Sequence, residues 1–316
     1  MAGRKVIAVV GATGAQGGGL VRSILADRDG PYAVRAITRD PGSEAARALA
    51  DAGAEVVAAD LADAAGVRRA FEGAYGAYCV TFFWAHMSPE RELAEARTLA
   101  AAARDAGLAH VIWSTLEDSR RFIPLDDPRM PTLMGRYKVP HFDAKGEADQ
   151  FFRESGVPTT YLYASYYWDN LIYFGAHPAK GPDGNIYFTL PTGKAKMAGV
   201  AAEDIGRVAY GIFKAGAKYA GQKVGVAGEH LTGAEMAAKL SAALGKDIRH
   251  NAMSPEAYRA LGFPGAEDLG NMFQFYRDFE GPLNALRDVG RSRELNPSLL
   301  SFDQWLAKYK DRIPPA

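Results

Sequence analysis

The stretch KVIAVVGATGAQGGGL, residues 5–20, determines the fold class that we predict for this chain. Its first half is a short apolar run, which is typical of a strand buried on both faces of a parallel sheet. Glycines follow at Gly11, Gly14 and Gly17, and a helical pattern begins directly after them. Glycine permits a sharp turn from strand to helix, and the free N–H groups of a helix N-terminus attract phosphate. The stretch therefore predicts a dinucleotide-binding turn.

The glycine spacing is G-x-x-G-x-x-G, which differs from the commonest dinucleotide motif, G-x-G-x-x-G. A tight strand–helix turn without a ligand could contain the same glycines, so the context is needed to decide. The motif is N-terminal, follows a buried strand, and precedes a second strand at 33–38 after one helix. We predict that the cofactor contacts of this turn come from Gly11, Ala12, Thr13, Gly14, Ala15, Gln16 and Gly17.

The composition is that of an ordinary globular protein. Among 316 residues, 37 basic side chains balance 37 acidic ones, which argues against direct binding of nucleic acid as the main role. No apolar run approaches the ~20 residues that cross a membrane, and no signal-peptide pattern precedes the first strand. The single cysteine, Cys79, lies in an apolar run and is predicted to be core. We expect a cytoplasmic protein without membrane contact, either a monomer or a homodimer.

Short apolar runs alternate with helical patterns through the first half of the chain. Such alternation requires crossover connections, and so predicts an α/β fold with a Rossmann-type, doubly wound parallel sheet. The predicted strands are 6–10, 34–38, 55–59, 77–81, 111–114 and 159–162, and the predicted helices are 18–26, 43–51, 64–71, 89–106 and 142–154. Later elements are shorter: a strand pair 185–190 with 196–199, a strand 224–227, and helices 202–215, 233–244, 255–261 and 266–279.

The ends of the predicted strands carry the candidate cofactor contacts, because ligands of such sheets bind beyond the carboxyl ends of the strands. The second strand ends in Arg39, and an arginine at this point can pair with the 2′-phosphate of NADP. Arg39 therefore predicts NADP(H), with two alternatives: Asp40 could bind ribose hydroxyls instead, or the two side chains could form a solvated pair. Asp60 and Leu61 follow the third strand and are predicted to contact the adenine.

The fourth strand leads into Thr81, Phe82 and Phe83, which could line a nicotinamide pocket or only cover the end of the sheet. A loop of about 19 residues, 122–140, comes later, and loops of this length are often lids or binding segments. His141 and Lys145 follow it one helical turn apart. None of the six histidines has metal-ligand spacing with supporting acids or cysteines, so we predict no metal site.

The chain resembles the NmrA-like family of the atypical short-chain dehydrogenase/reductase superfamily, in particular its human NADPH-sensor branch. The resemblance covers nearly the whole chain. It depends on GATGAQGG, TRDP, STLED, HFDAKGE, YYWDNL, LPTG, FPGAEDLGNMFQFY and LSFDQWL. It implies a Rossmann NADP(H)-binding domain at 1–165 and a smaller, interleaved α+β lobe at 166–316 that shares the cofactor cleft. Tyr167, Trp168 and Asn170 match cofactor-contacting positions of the family, although aromatics this dense could also be core.

The resemblance favours a redox-state sensor, and an NADPH-dependent reductase is the alternative. Reductases of the superfamily use a Tyr-x-x-x-Lys pair for acid–base work, and here His141 replaces the tyrosine while Lys145 is retained. The replacement favours a redox-state sensor that acts through a regulatory protein partner. The retained lysine favours an NADPH-dependent reductase of a small carbonyl, enone or quinone, with Lys145 and His141 as the catalytic candidates, since imidazole also transfers protons.

Overall fold

The computed structural model describes residues 3–316, and its contacts divide the chain into two compact units. Unit 1 comprises the chain up to Glu117, Ala144–Ala164 and Glu203–Val224; unit 2 comprises Asp118–Asp143, Ser165–Ala202 and Gly225–Ala316. Each unit is therefore assembled from three separate segments. None of the helices within residues 3–316 combines the length and the apolar character needed to span a bilayer.

The strands are β1 Lys5–Val10, β2 Tyr32–Thr38, β3 Glu55–Ala58, β4 Gly76–Cys79, β5 His110–Thr115, β6 Thr159–Tyr163, β7 Tyr166–Tyr167, β8 Ala179–Lys180, β9 Ile186–Thr189, β10 Met197–Val200, β11 Lys223–Gly225, β12 Glu229–Leu231 and β13 Ile248–Asn251. The helices are α1 Ala15–Ala26, α2 Glu44–Asp51, α3 Ala64–Phe71, α4 Pro89–Asp105, α5 Pro140–Ser155, α6 Asn170–Tyr173, α7 Ala202–Ala215, α8 Gly233–Leu244, α9 Pro255–Arg259, α10 Ala266–Asp278, α11 Glu280–Leu286, α12 Val289–Leu295 and α13 Phe302–Tyr309.

A seven-stranded sheet in the order β11-β6-β5-β4-β1-β2-β3 forms the centre of unit 1. In the part of this order from β6 to β3, every pair of neighbouring strands is parallel. This confirms the predicted doubly wound α/β class. The strand order reverses between β1 and β4, and such a switch point is where ligands of these folds bind. Cys79, at the end of β4, is fully buried in this core as predicted.

Helix α1 begins at Ala15, three residues before the predicted start. The prediction was wrong because Gly17 was taken as the last glycine of the turn, whereas Ala15, Gln16 and Gly17 already form the first turn of the helix. The glycines that follow permit close backbone packing. A Cβ on Gly19 would lie 2.4 Å from the carbonyl oxygen of Glu203, and one on Gly206 would lie 2.1 Å from the backbone nitrogen of Leu20. Helices α1 and α7 therefore pack backbone against backbone, which places the segment that follows residue 202 in unit 1.

Unit 2 contains two small sheets, in the orders β12-β10-β7 and β13-β9-β8. The predicted pairing of 185–190 with 196–199 is wrong, although both strands exist as β9 and β10. Both edges of β9 are occupied, by parallel β13 and antiparallel β8, so no edge is left for β10. Helix α10 carries an apolar stripe, and Phe275 packs there against the rings of Phe122 and Phe142. The stripe is core.

Loop 122–140 is held within unit 2 by buried polar groups. The fully buried Lys138 ammonium donates to the carbonyl oxygens of Asp127 at 2.9 Å and Met130 at 2.6 Å. Burial lowers the pKa of Lys138. From α10, Asn271 donates to the carbonyl oxygen of Pro131 and Gln274 to that of Arg129. The loop is thus an ordered part of unit 2.

Candidate cofactor and catalytic site

The glycine turn joins β1 to α1 at the switch point of the sheet. Gly11 has a φ of 64°, in the left-handed region that favours glycine. A Cβ on Gly17 would lie 2.4 Å from the carbonyl oxygen of Gly11, which only glycine avoids. Gly14 is the N-cap of α1, and no side chain of the described chain caps that helix end. The first N–H groups of α1 therefore suit an anion at the carboxyl edge of the sheet.

The predicted residues of this turn differ in their accessibility. Thr13, Gly14 and Ala15 are exposed, as is Gly11. Ala12 is buried and its N–H donates to the carbonyl oxygen of Ile37 at 3.2 Å. The carboxamide oxygen of Gln16 instead accepts a hydrogen bond from Ser114 at 2.8 Å and one from Tyr78. Gln16 thus ties the turn to the neighbouring strands.

The ends of β2 and β3 present one unpaired cation and two carboxylates used in turns. Arg39 is exposed and makes no hydrogen bond or ion pair with any other residue of the described chain. Asp40 accepts the N–H of Gly42 at 2.9 Å, and Asp60 accepts that of Ala62 at 2.9 Å. Of these three side chains, Arg39 is therefore the one without a hydrogen-bond or ion-pair partner in the described chain. Leu61 is half-buried beside Asp60.

Lys145 lies in unit 1 with its ammonium at the end of β4. Nζ donates to the hydroxyl of Thr81 at 2.7 Å and to the carbonyl oxygen of that residue at 3.1 Å. It also forms an ion pair with Glu92 Oε1 at 2.6 Å. Phe82 is 54% exposed and extends from this edge, whereas Phe83 is buried against Trp84. Thr81, Phe82 and Lys145 are thus the predicted residues that this edge of the sheet presents.

A further cluster next to this edge contains His86, Glu92 and Glu95. Nε2 of His86 lies 3.6 Å from Oε2 of Glu92 and 3.8 Å from Oε2 of Glu95. One potential ligand atom from each residue lies within 4.8 Å of the others, which is close enough for a metal ion. The sequence spacing did not indicate this cluster, because His86 lies in the loop before α4 whereas both acids lie on that helix.

His141 lies in unit 2, on the first turn of α5, and contacts Asp268. Nδ1 of its ring lies 2.6 Å from Oδ1 of Asp268, and its backbone N–H donates to Oδ2 at 3.2 Å. Both side chains are buried. Asp268 stabilises the start of α5 and also orients the ring. Asp268 could not be predicted from the sequence around His141, because 127 residues separate the two.

The remaining predicted cofactor residues lie in unit 2. Tyr167 is half-buried in β7 and Asn170 is half-buried at the start of α6. The indole of Trp168 is 1% exposed and packs against Phe302 and Trp305. Trp168 is thus a core side chain, and cofactor contacts by Tyr167 and Asn170 stay predictions.

The fold and this edge define a nucleotide-binding protein of the Rossmann type, and comparison with known proteins gives its family. The profile of the NmrA-like family matches residues 3–306. The chain is 30% identical over 291 residues to the NmrA-like family domain-containing oxidoreductase FrzB of Cladobotryum sp, covering 85% of this chain and 83% of that protein. It is 31% identical over 266 residues to the NAD(P)H azoreductase of Xenophilus azovorans, covering 82% of each. The chain belongs to the NmrA-like family.

Solved structures agree with this assignment of the fold. The negative transcriptional regulator NmrA in complex with NADP has a TM-score of 0.77 against this chain at 24% identity, covering 96% of this chain and 94% of that one. Membership of the NmrA-like family supports NADP(H) as the cofactor, as Arg39 predicts.

Proposed function

We propose that this protein is an NADPH-dependent oxidoreductase that reduces a small organic acceptor. The observation that carries the proposal is the pairing of His141 with Asp268, because it gives the residue in the tyrosine position of the superfamily a fixed orientation and a buried counter-ion. The named relatives that are oxidoreductases, one of them an azoreductase, support the same class of reaction.

The residues of unit 1 fit the cofactor. The N–H groups of the Gly14 turn would bind the pyrophosphate, and the unpaired guanidinium of Arg39 would pair with the 2′-phosphate. Lys145 would donate to a hydroxyl of the nicotinamide ribose. Bound NADPH supplies a hydride to the acceptor.

The chain must then supply a proton, because an acceptor that gains a hydride becomes an anion. With Nδ1–H donating to Asp268, the ring of His141 exchanges its second proton at Nε2. The carboxylate of Asp268 stabilises the imidazolium before transfer, and the ring regains its proton from water afterwards. Hydride and proton together complete a two-electron reduction of a carbonyl, enone, quinone or azo group.

A second candidate is a redox-state sensor that binds NADP(H) and acts through a protein partner. The replacement of the superfamily tyrosine by His141 favours it, as does the fold shared with the regulator NmrA. In that case the same residues hold the cofactor and no acceptor is reduced.

Oxidation of NADPH by the purified protein, followed at 340 nm with a panel of carbonyls, enones, quinones and azo compounds, separates the two candidates. We expect turnover of at least ~1 s⁻¹ with one class of acceptor. Tight NADPH binding by calorimetry with no turnover across the panel would favour the sensor. Failure to bind NADPH would contradict both.

A further inference from the structure

Glu92 is a fully buried carboxylate with two different neighbours. Its Oε1 is 2.6 Å from the ammonium of Lys145 and 2.5 Å from the hydroxyl of Thr81. Its Oε2 faces the ring of His86 and has no hydrogen-bond partner within the described chain. Glu92 thus contacts Lys145 of α5 and Thr81 through one oxygen and faces His86 with the other.

The pairing of Glu92 with Lys145 leaves little net charge in this buried region. Within residues 3–316, Glu92 is the single carboxylate in ion-pair distance of Lys145. The neighbouring acid, Glu95, has its own partner, since Oε1 accepts from Nε of Arg91 at 3.0 Å. Loss of one partner of a buried ion pair leaves an uncompensated charge, which is strongly unfavourable. Among the described residues, Glu92 is therefore the carboxylate that compensates the charge of Lys145.

The ring of His86 favours this pairing and disfavours a metal ion. Nδ1 of His86 accepts the backbone N–H of Ser88 at 3.0 Å. A neutral imidazole that accepts at Nδ1 carries its proton at Nε2, the atom directed at Glu92 and Glu95. A metal ion would need a deprotonated Nε2. The cluster is therefore better suited to an N–H donor beside two carboxylates than to a metal centre.

We propose that Glu92 is the positioning residue for Lys145. It is the buried counter-ion of the lysine and holds Nζ at the end of β4, while the N–H of His86 faces its second oxygen. The proposal rests on the proposed function only in treating Lys145 as a cofactor-binding residue. Thr81 completes the arrangement, because it contacts both members of the ion pair.

The first test is NADPH binding by calorimetry between pH 6 and 10 in Glu92→Gln. The amide keeps the shape but removes the charge, so we expect affinity to fall about tenfold. The loss of affinity with rising pH should also begin at lower pH than in wild type, because an unpaired buried ammonium releases its proton more readily. Glu95→Gln is the matched control and should bind as wild type does. Equal affinity and pH dependence in Glu92→Gln and wild type would refute the positioning role.

The second test needs no cofactor and so separates this inference from the proposed function. Labelling of Lys145 by an amine-reactive ester, measured by peptide mass spectrometry, should be faster in Glu92→Gln than in wild type or Glu95→Gln. The double variant Glu92→Gln/Lys145→Met should melt above Glu92→Gln, because no lone charge remains buried. Unchanged labelling, or a double variant that melts below that single variant, would contradict the proposal. A Zn²⁺-induced rise in melting temperature that His86→Ala abolishes would overturn it in favour of a metal site.

Discussion

Asp268 contacts His141 at two points, with one carboxylate oxygen on the ring Nδ1 and the other on the backbone N–H. Because His141 is the second residue of α5, the same carboxylate stabilises the start of a helix and fixes the tautomer of the ring. Asp268 therefore has both a structural role and a chemical role. Only a substitution that keeps the shape of its side chain can separate the two roles.

Asp268→Asn is that substitution. The amide oxygen can still accept the backbone N–H, but its NH₂ group would face Nδ1 of His141 and favour the other tautomer. We expect the stability to fall by about 1–3 kcal/mol, the usual effect of weakening one buried charged hydrogen bond. The rate of NADPH oxidation with an acceptor should fall ~10²–10⁴-fold.

The measurements are kcat, the NADPH dissociation constant and the free energy of unfolding in urea. Glu267→Gln, the adjacent exposed acid, is the matched control and should leave all three unchanged. A folded Asp268→Asn protein with wild-type kcat would exclude His141 as the proton donor.

Arg39→Ala should remove the preference for NADPH over NADH. A charge-assisted bond to a 2′-phosphate contributes roughly 1.5–3 kcal/mol, which corresponds to about a tenfold to a hundredfold preference. Calorimetry with both dinucleotides should show weaker NADPH binding and nearly unchanged NADH binding. Arg47→Ala, which removes an exposed arginine from α2, is the control. Equal affinities of the wild-type protein for the two cofactors would show that Arg39 is not the determinant.

Substitutions of two glycines in the same turn should have different effects. A Cβ on Gly14 meets the carbonyl oxygen of Gly11 at 3.2 Å, whereas one on Gly17 meets it at 2.4 Å. Gly14→Val should therefore abolish dinucleotide binding with a small loss of stability, because the branched side chain occupies the pyrophosphate position. Gly17→Ala should lower the melting temperature. If a well-folded Gly14→Val protein keeps its NADPH affinity, the turn does not bind the pyrophosphate.

His110 makes the stability of the protein depend on pH. Burial in β5 lowers the pKa of His110 to about 4, and Nε2 is hydrogen-bonded to Thr160 at 2.8 Å. The unfolded chain takes up this proton near pH 6.5, so the contribution to stability is present above that pH and is lost as the pH falls towards 4. This contribution of His110 to the free energy of unfolding is about 3 kcal/mol.

The comparison with His110→Gln isolates this contribution. The free-energy difference between wild type and variant, from urea unfolding at several pH values, should shrink as the pH falls from 7 to 4. Burial raises the pKa of Asp143 and that of Asp149, each to about 6, and these groups act in the opposite direction. Wild type and variant both contain Asp143 and Asp149, so the contributions of these two groups cancel in the free-energy difference. A difference that is constant with pH would mean that the native protein binds the His110 proton as readily as the unfolded chain does, and that burial does not lower this pKa.

The strands of the unit 1 sheet could be predicted because each is a short apolar run, and such a run is buried whatever its position in the strand order of the sheet. The positions of Arg39 and Lys145 were also predictable, because they follow from the place of each residue relative to a strand end or a helix turn. The start of α1 was not, since a glycine inside the first helical turn, such as Gly17, looks the same in sequence as a glycine of the turn before a helix.

The long-range contacts could not be predicted from local patterns. Glu92 looks like one of several charged residues on an amphipathic helix, and only the fold shows that it is buried beside Lys145. Asp268 resembles an ordinary first-turn acid of α10. The separation of β9 from β10 depends on which strand occupies each sheet edge, and the sequence of the two strands does not contain that information.

The chain passes between the two units after residues 117, 143, 164, 202 and 224. During synthesis, unit 1 cannot be completed until β11 has left the ribosome, long after the first six strands of its sheet have emerged. A fragment ending at residue 165 would lack β11 and α7, and would expose an unpaired edge of β6 and the glycine surface of α1. Such a fragment should aggregate. Because each unit consists of three chain segments, truncation of the chain at one position cannot produce either unit.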